Sequence, residues 1–320
     1  RYALYLSARI KQIKQFYMKY DIIIVGSGPG GYVAAIRASQ LGKKVAIVER
    51  ESLGGICLNW GCIPTKALLK SAQVFDYIKH AEDFGINIGK AKVDFAATIK
   101  RSRGVADGMS KGVQFLMRKN KIDVIMGTGK LIKGNKVQVT NDKDEEQEIS
   151  APHIIIATGG RAKELPNLPI DGKKIIEYRK AMSLSRQPDK MVVIGAGAIG
   201  AEFAYFYNTI GTEVVVVEFL EQGLLPREDA EISKELGKAF KKAGIEVLAN
   251  TAVESVDESG NKLIVKVKNR KSEKEDTIDC DVVLSAAGVS ANIENIGLED
   301  LDIKTDKGLI QVDEFYQTNV

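Results

Sequence analysis

Cys57 and Cys62 are the residues of this sequence best suited to chemistry. They stand five apart in the segment Leu53-Gly-Gly-Ile-Cys57-Leu-Asn-Trp-Gly-Cys62-Ile-Pro-Thr-Lys66. If the first lies on a loop and the second opens a helix, their sulfurs can meet and cycle between disulfide and dithiol. Pro64 suits a first helical turn, where its missing N–H is no loss, and KALLKSAQVFDYIKH behind it has helical spacing. A thiol at a helix N-terminus feels the positive end of the peptide dipoles, which favours thiolate, and Lys66 adds to that field. Three plainer readings compete: two small core residues, half of a zinc site, or a static disulfide. Zinc usually takes four ligands at recognised spacings. Cys280, His80 and His153 are not so spaced, so no metal site is expected. Cys280 sits in a buried-looking strand and reads as structural.

The elements around the pair tip the balance toward redox. Asp21-Ile-Ile-Ile-Val25 is an apolar, β-branched run of the kind that forms a buried parallel strand. It leads into Gly26-Ser-Gly28-Pro-Gly-Gly31, a helical YVAAIRASQLG and a second strand that ends at Glu49. The same succession returns in Met191-Val-Val-Ile194, Gly195-Ala-Gly197-Ala-Ile-Gly200, AEFAYFYNTIG and a strand ending at Glu218. Twenty-one residues separate the second glycine from the acid in both copies. In such a unit the first glycine permits a tight turn. The second admits a pyrophosphate to the backbone, and the third lets helix and strand pack closely. The free N–H groups of the helix start face the phosphates, and the acid accepts hydrogen bonds from a ribose diol. One such motif is weak. Two with matched spacing predict two bound dinucleotides.

After each unit comes a long connection and then alternating strands around charged tips. These are GKLI, NKVQVTN and QEISAPHIIIAT in the first copy, and TAVESVDE, KLIVKVKN and DTIDCDVVLSAAG in the second. Antiparallel meanders are expected from them, each closing on glycine, at Ala157-Thr158-Gly159 and at Gly288. The fold class is therefore α/β, with two Rossmann-like domains each carrying a β-meander. Residues 161–190, with three prolines and no sustained period, form the expected boundary. Residues 93–121 read as one amphipathic helix whose Gly104, Gly108 and Gly112 could allow close packing. His80 and His153 receive no role.

Interspersed charge totalling only +4 gives no ground for a nucleic-acid partner, and no apolar run reaches the ~20 residues of a membrane span. Three cysteines in 320 residues are no secreted disulfide scaffold. The chain begins at Arg1, whereas MKYDIIIVG from Met18 looks like a natural start, so 1–17 are expected to be a non-native or disordered extension.

GGICLNWGCIPTKALL, the two glycine motifs, the ATGG strand end, GAGAIGAE and the final QTNV together resemble the class I pyridine nucleotide-disulfide oxidoreductases over residues 18–320. The resemblance implies an FAD domain over 18–160 bearing a redox disulfide, an NAD domain over 161–284, and a return to the FAD and central part over 285–320. Gly26, Gly28, Gly31 and Glu49 would hold FAD, with Gly129, Thr158 and Gly159 lining its other side. Cys62 would be the flavin-proximal sulfur and Cys57 the interchange thiol. Lys66 would lie by the flavin, and Glu202 beside Lys66 and the nicotinamide. Gly195, Gly197, Gly200, Glu218 and Gly288 would hold the nicotinamide dinucleotide, with Val253 touching its adenine. A carboxylate at Glu218 favours NAD over NADP.

CLNWGCIPTKALL and VVEFLEQGLLPREDAEISKEL resemble the bacterial branch that oxidises dihydrolipoamide with NAD. Mercuric reductase or another NAD(P)H-disulfide reductase of the family is the rival enzyme, and an inactive nucleotide-binding remnant the rival of another class. The dihydrolipoamide branch implies a cytoplasmic homodimer serving lipoyl domains of 2-oxo acid dehydrogenase complexes or the glycine cleavage system. Two departures stand out. Gly288-Val-Ser-Ala-Asn292 replaces the usual Gly-Arg-x-Pro-Asn. The GD motif and the interface domain with its His–Glu pair, which follow QTNV in the family, are absent, so these 320 residues alone are expected to hold FAD poorly and to lack turnover.

Overall fold

The computed structural model describes residues 18–320, and the expectation for 1–17 lies outside them. The first nucleotide-binding fold begins with β1 (Met18–Lys19) and β2 (Ile22–Val25), followed by α1 (Pro29–Gln40) and β3 (Val45–Glu49). A long connection then carries α2 (Gly55–Trp60), α3 (Cys62–Lys79) and α4 (Phe95–Lys119). Next come β4 (Asp123–Met126), β5 (Thr128–Ile132), β6 (Lys136–Thr140), β7 (Glu146–Ser150) and β8 (His153–Ile156). Strands β4-β3-β2-β8 form a parallel sheet, and β5, β6 and β7 an antiparallel meander that β1 extends in parallel.

The second fold runs through β9 (Ile175–Ile176), α5 (Tyr178–Ala181), β10 (Lys190–Ile194), α6 (Ala198–Thr209) and β11 (Glu213–Val217). It continues with α7 (Ala230–Lys242), β12 (Glu246–Leu248), β13 (Thr251–Asp257), β14 (Leu263–Asn269), β15 (Glu275–Cys280) and β16 (Val282–Ser285). Its parallel sheet has the order β9-β16-β10-β11-β12, and β13, β14 and β15 form its meander. In both sheets the closing strand lies beside the first strand, then the strand that ends in the acid, then the next. The duplication read in the sequence is thus a duplication of topology.

Contacts divide the chain into two compact units. One comprises residues through 59 with 107–160 and 291–320, and the other 60–106 with 161–290. In the first, Ile23, Val25, Ala46, Val48 and Ile125 of the sheet bury against Leu131, Val137, Val139 and Ile149 of the meander. In the second, Val192, Ile194, Val215, Val217 and Val283 meet Leu263, Val265, Val267 and Cys280. Period-two alternation on the meander strands supplies one apolar face to each core, as that spacing requires.

The expected long helix is α4, buried along Ser102, Ala106, Ser110, Val113 and Met117 at helical spacing. Close packing at its glycines does not occur. Gly104, Gly108 and Gly112 are exposed, and a Cβ added to any of them would meet nothing within 4 Å. Four-residue steps put all three on one face, but it is the solvent face. Among the described residues no helix is long and apolar enough to cross a membrane, and no group of three or more His, Cys, Asp or Glu is placed to hold a metal.

Candidate functional site

Each glycine turn is assembled from the same bonds. Gly26 N–H donates to Val48 O and Ala157 N–H to Val25 O, both at 2.8 Å. Gly195 N–H to Val217 O and Ala286 N–H to Ile194 O repeat this at 2.8 Å. Gly26 and Gly195 have φ of +101° and +100°, a conformation that favours glycine. A Cβ there would lie 2.2 Å from Ala157 O and 2.5 Å from Ala286 O respectively. Gly31 and Gly200 pack against these turns so tightly that a Cβ would fall 1.9 Å from the Gly26 and Gly195 carbonyl oxygens.

The second glycines are different. Gly28 and Gly197 have ordinary φ of −63° and −68°, and a Cβ on either would touch nothing within 4 Å. Nothing in the protein's own backbone or packing calls for glycine there. An approaching phosphate would, and both residues cap helices whose first N–H groups carry no side-chain cap. Both cradles therefore fit a dinucleotide.

The acids are buried and fixed. Glu49 Oε2 accepts from Ser27 N–H (2.9 Å) and Ser27 Oγ (2.5 Å), and its Oε1 from Glu51 N–H (2.8 Å). Glu218 Oε2 accepts from Ala196 N–H (2.7 Å) and its Oε1 from Leu220 N–H (2.8 Å). These bonds lock each carboxylate at the mouth of its turn while its oxygens keep acceptor capacity for ribose hydroxyls. Beyond Glu49 a cavity of about 420 Å³ opens among Glu51, Ser52, Leu53, Ser110, Gln114 and Arg118. Sequence reasoning missed it, since its walls come from separate elements.

The cysteine segment is anchored to the first turn. Gly54 N–H donates to Ser27 O (3.0 Å), and Gly55 sits so close to Gly28 that a Cβ would lie 2.6 Å from the Gly28 Cα. Cys57 is not on a loop but within the six-residue helix α2. Gly54 and Gly55, both at positive φ, turn the chain into it, and buried Asn59 holds it by donating from Nδ2 to Leu53 O and Gly55 O. Six residues are too few to show a helical period, so this helix was not legible. Cys62 is the first residue of the 18-residue α3, as expected. Cys57 and Cys62 are disulfide-bonded, and Cys280 is free.

Between the cysteines stands Trp60, the sole tryptophan. The Arg103 guanidinium lies 4.0 Å from its ring centroid and that of Arg179 5.5 Å, a doubled cation–π contact. Four residues into α3, Lys66 is ion-paired with Glu202 of α6, so these two expected neighbours do meet. Behind Glu202, the fully buried Phe203, Phe206 and Tyr207 tie down α6, and the Tyr207 hydroxyl donates to Ala181 O (2.5 Å).

The remaining expected residues fall as follows. Gly159 is at φ +68° with open space where a Cβ would point. Asn292 closes this loop, donating from Nδ2 to Thr158 O (3.0 Å) and from its backbone N–H to Gly159 O (2.9 Å). Gly288 is likewise open, at φ +115°. Gly129 is packed among the Val25, Val48 and Val137 side chains, which by itself accounts for a glycine there. Val253 is partly buried against the second core, and its carbonyl accepts from Asn167 Nδ2 (3.0 Å).

Burial pushes the Cys280 thiol up to about 12, so it carries almost no thiolate near neutrality. After reduction, the native chain should show two thiols reacting quickly with an alkylating agent at pH 8 and a third only on unfolding. Mass spectrometry of the labelled peptides checks this, and fast labelling at Cys280 would contradict it.

The family profile described as pyridine nucleotide-disulphide oxidoreductase matches residues 20–320. The dihydrolipoyl dehydrogenase of Zymomonas mobilis is 49% identical over 94% of this chain and 64% of its own length. That of Rhizobium etli is 46% identical over 94% and 65%. Among solved structures, LpdA from Mycobacterium tuberculosis superposes with a TM-score of 0.85 at 26% identity, covering 94% of this chain and 65% of that one. The flavoprotein disulfide reductase RclA from Escherichia coli, as a Cu(II) complex, gives 0.81 at 25% identity, covering 94% and 64%. The chain thus spans slightly under two thirds of the length of these relatives. Relatives of this kind use FAD and NAD(H), the two dinucleotides for which the paired cradles have room. Doubled nucleotide fold, cysteine bridge and profile agree: the chain belongs to the pyridine nucleotide-disulphide oxidoreductase family.

Proposed function

We propose that this protein is a dihydrolipoyl dehydrogenase, oxidising protein-bound dihydrolipoyl groups with NAD as acceptor. The observation that carries the reading is the 49% identity to an enzyme of that name across 94% of the chain, with the disulfide of Cys57 and Cys62 in place. In this reading Gly26, Gly28, Gly31 and Glu49, with Thr158 and Gly159, hold FAD, and the cavity beyond Glu49 takes its adenosine end. Gly195, Gly197, Gly200, Glu218 and Gly288 hold NAD. FAD supplies two-electron transfer between thiols and the pyridine nucleotide.

The thiol chemistry belongs to the chain. One substrate thiolate attacks the Cys57 sulfur, the bond to Cys62 breaks, and Cys62 leaves as a thiolate favoured by the start of α3. The second substrate thiolate then displaces Cys57 from the mixed disulfide. The substrate departs as a disulfide and the cysteine pair is left reduced. Lys66, held by Glu202, keeps a positive charge one helical turn from Cys62. The partners in this reading are lipoyl domains of 2-oxo acid dehydrogenase complexes or of the glycine cleavage system. The form is a homodimer and the compartment the cytoplasm.

The test is NAD reduction by dihydrolipoamide, measured on protein expressed from its complete reading frame. Efficient reduction, with little NADH-dependent turnover of mercuric ion or glutathione disulfide, is the expected result. A preference for mercuric ion would overturn the assignment in favour of mercuric reductase.

A further inference from the structure

Thiol exchange uses the two sulfurs, and the indole that stands between them has no part in it. Yet Trp60, the last residue of α2, is gripped from two elements distant in sequence. Arg103 on α4 brings its guanidinium carbon to 4.0 Å from the ring centroid, and Arg179 on α5 comes to 5.5 Å. The same two regions hold the opening turns of α3. Arg101 Nη1 donates to Ala67 O (2.8 Å) and Ser71 Oγ (3.3 Å), and the buried Thr65 hydroxyl donates to Met182 Sδ (4.0 Å), just after α5. The grips are themselves fixed. Arg103 follows Ser102, which is fully buried. The Glu177 carboxylate caps α5 by accepting from Arg179 N–H (2.9 Å) and Lys180 N–H (3.3 Å). All of these residues belong to one compact unit.

Once the bridge opens, nothing covalent keeps the sulfurs together. Gly61, between Trp60 and Cys62, gives that junction the widest backbone freedom any residue can have. Closing the bridge again must overcome the entropy of every rotation released meanwhile. A ring held by two guanidinium groups keeps the segment ordered in the dithiol, so less freedom is lost when the bond reforms. We infer that Arg103 and Arg179 are positioning residues: acting through Trp60, they hold the opened thiols of Cys57 and Cys62 in bonding register and so bias the pair toward the disulfide. The inference rests on the reading of this pair as the redox centre and adds the residues that set its poise. Charge alone would act with the opposite sign, since a cation beside a thiol favours thiolate and hence the reduced pair.

Equilibration with dithiothreitol reads that poise. The Cys57 and Cys62 thiols give two electrons and two protons to oxidised dithiothreitol. The protein bridge forms as the reagent's ring disulfide opens to a dithiol. Flavin-loaded protein from the complete reading frame is held in mixtures of the two reagent forms at one pH and quenched with acid. Its free Cys57 and Cys62 thiols are then alkylated and counted by mass spectrometry. Arg103→Met should lower the constant for bridge formation about threefold, the size of a partly exposed cation–π contact, and Arg179→Met, with the longer contact, somewhat less. Both substitutions together should approach a tenfold loss, a potential less negative by about 30 mV for this two-electron couple. Arg103→Lys keeps a cation for the ring and should restore most of the constant. In a Trp60→Leu background Arg103→Met should have no further effect. An unchanged constant in the doubly substituted arginine variant, or a shift toward the bridge, would overturn the inference. So would an effect of Arg103→Met that persists in full without Trp60. If dithiothreitol cannot open the wild-type pair at all, the redox reading itself fails, and the inference with it.

Discussion

Cys57→Ser and Cys62→Ser are each expected to reduce dihydrolipoamide-dependent NAD reduction on the order of 10⁴-fold or more, the scale seen when a member of a covalent catalytic unit is removed. Serine oxygen cannot form the bridge, so neither variant can accept the substrate's electrons. The fold should survive. The bridge closes a short loop, worth about 2 kcal/mol of unfolded-state entropy by the chain-closure relation, whereas each unit has its own sheet and apolar core. The two variants should differ in what they leave behind. With Cys62 kept, its thiol at the first residue of α3 should alkylate the faster of the two, because that end of the 18-residue helix has no side-chain cap to offset its dipole. With Cys57 kept, the remaining thiol lies in a six-residue helix and lacks that field. Steady-state rates, alkylation against pH and thermal melting together check all three statements. A variant retaining a tenth of the activity would contradict the redox assignment.

The second large effect separates two glycines three residues apart. Gly31→Ala should cost about 3 kcal/mol or more, because the new methyl would sit 1.9 Å from a backbone oxygen that cannot move without dismantling the turn. Gly28→Ala should leave stability within about 0.5 kcal/mol, as its φ is ordinary and its Cβ meets open space. It should nevertheless lose flavin by roughly ten- to a hundredfold in affinity, the consequence of overpacking a tight contact, because the methyl would occupy the pyrophosphate's approach. Gly200→Ala and Gly197→Ala should repeat the contrast for the nicotinamide coenzyme. Melting temperature beside flavin content reads the two effects independently. If Gly28→Ala bound FAD normally, the first cradle would lie elsewhere.

What the sequence disclosed follows from how local each signal is. The strand, turn, helix and acid of each copy are encoded within thirty or so neighbouring residues, so both cradles could be read with their glycines assigned distinct tasks. Cys62 could be placed because Pro64 and a long periodic helix follow it. Cys57 could not, since its helix is held by Asn59 and by contact with Gly28 rather than by a pattern. The glycine steps of α4 looked like a packing face because spacing reveals which residues share a side of a helix but not what lies opposite. Asn292 and the Trp60 stack join residues distant in sequence, and nothing in a single chain marks them. Ser27, buried against Glu49, occupies the variable position of the glycine motif and was passed over for that reason.

The placement of Trp60 gives the molecule its own optical gauge. Disulfides quench nearby indole emission strongly, and this tryptophan lies three residues from one end of the bridge and two from the other, with no second tryptophan to dilute its signal. Its two arginine neighbours keep the ring from wandering. Ultraviolet emission should therefore brighten when the bridge opens and dim when it reforms, so that the oxidation state of a single bond can be followed in solution, on the timescale of mixing, without any added label.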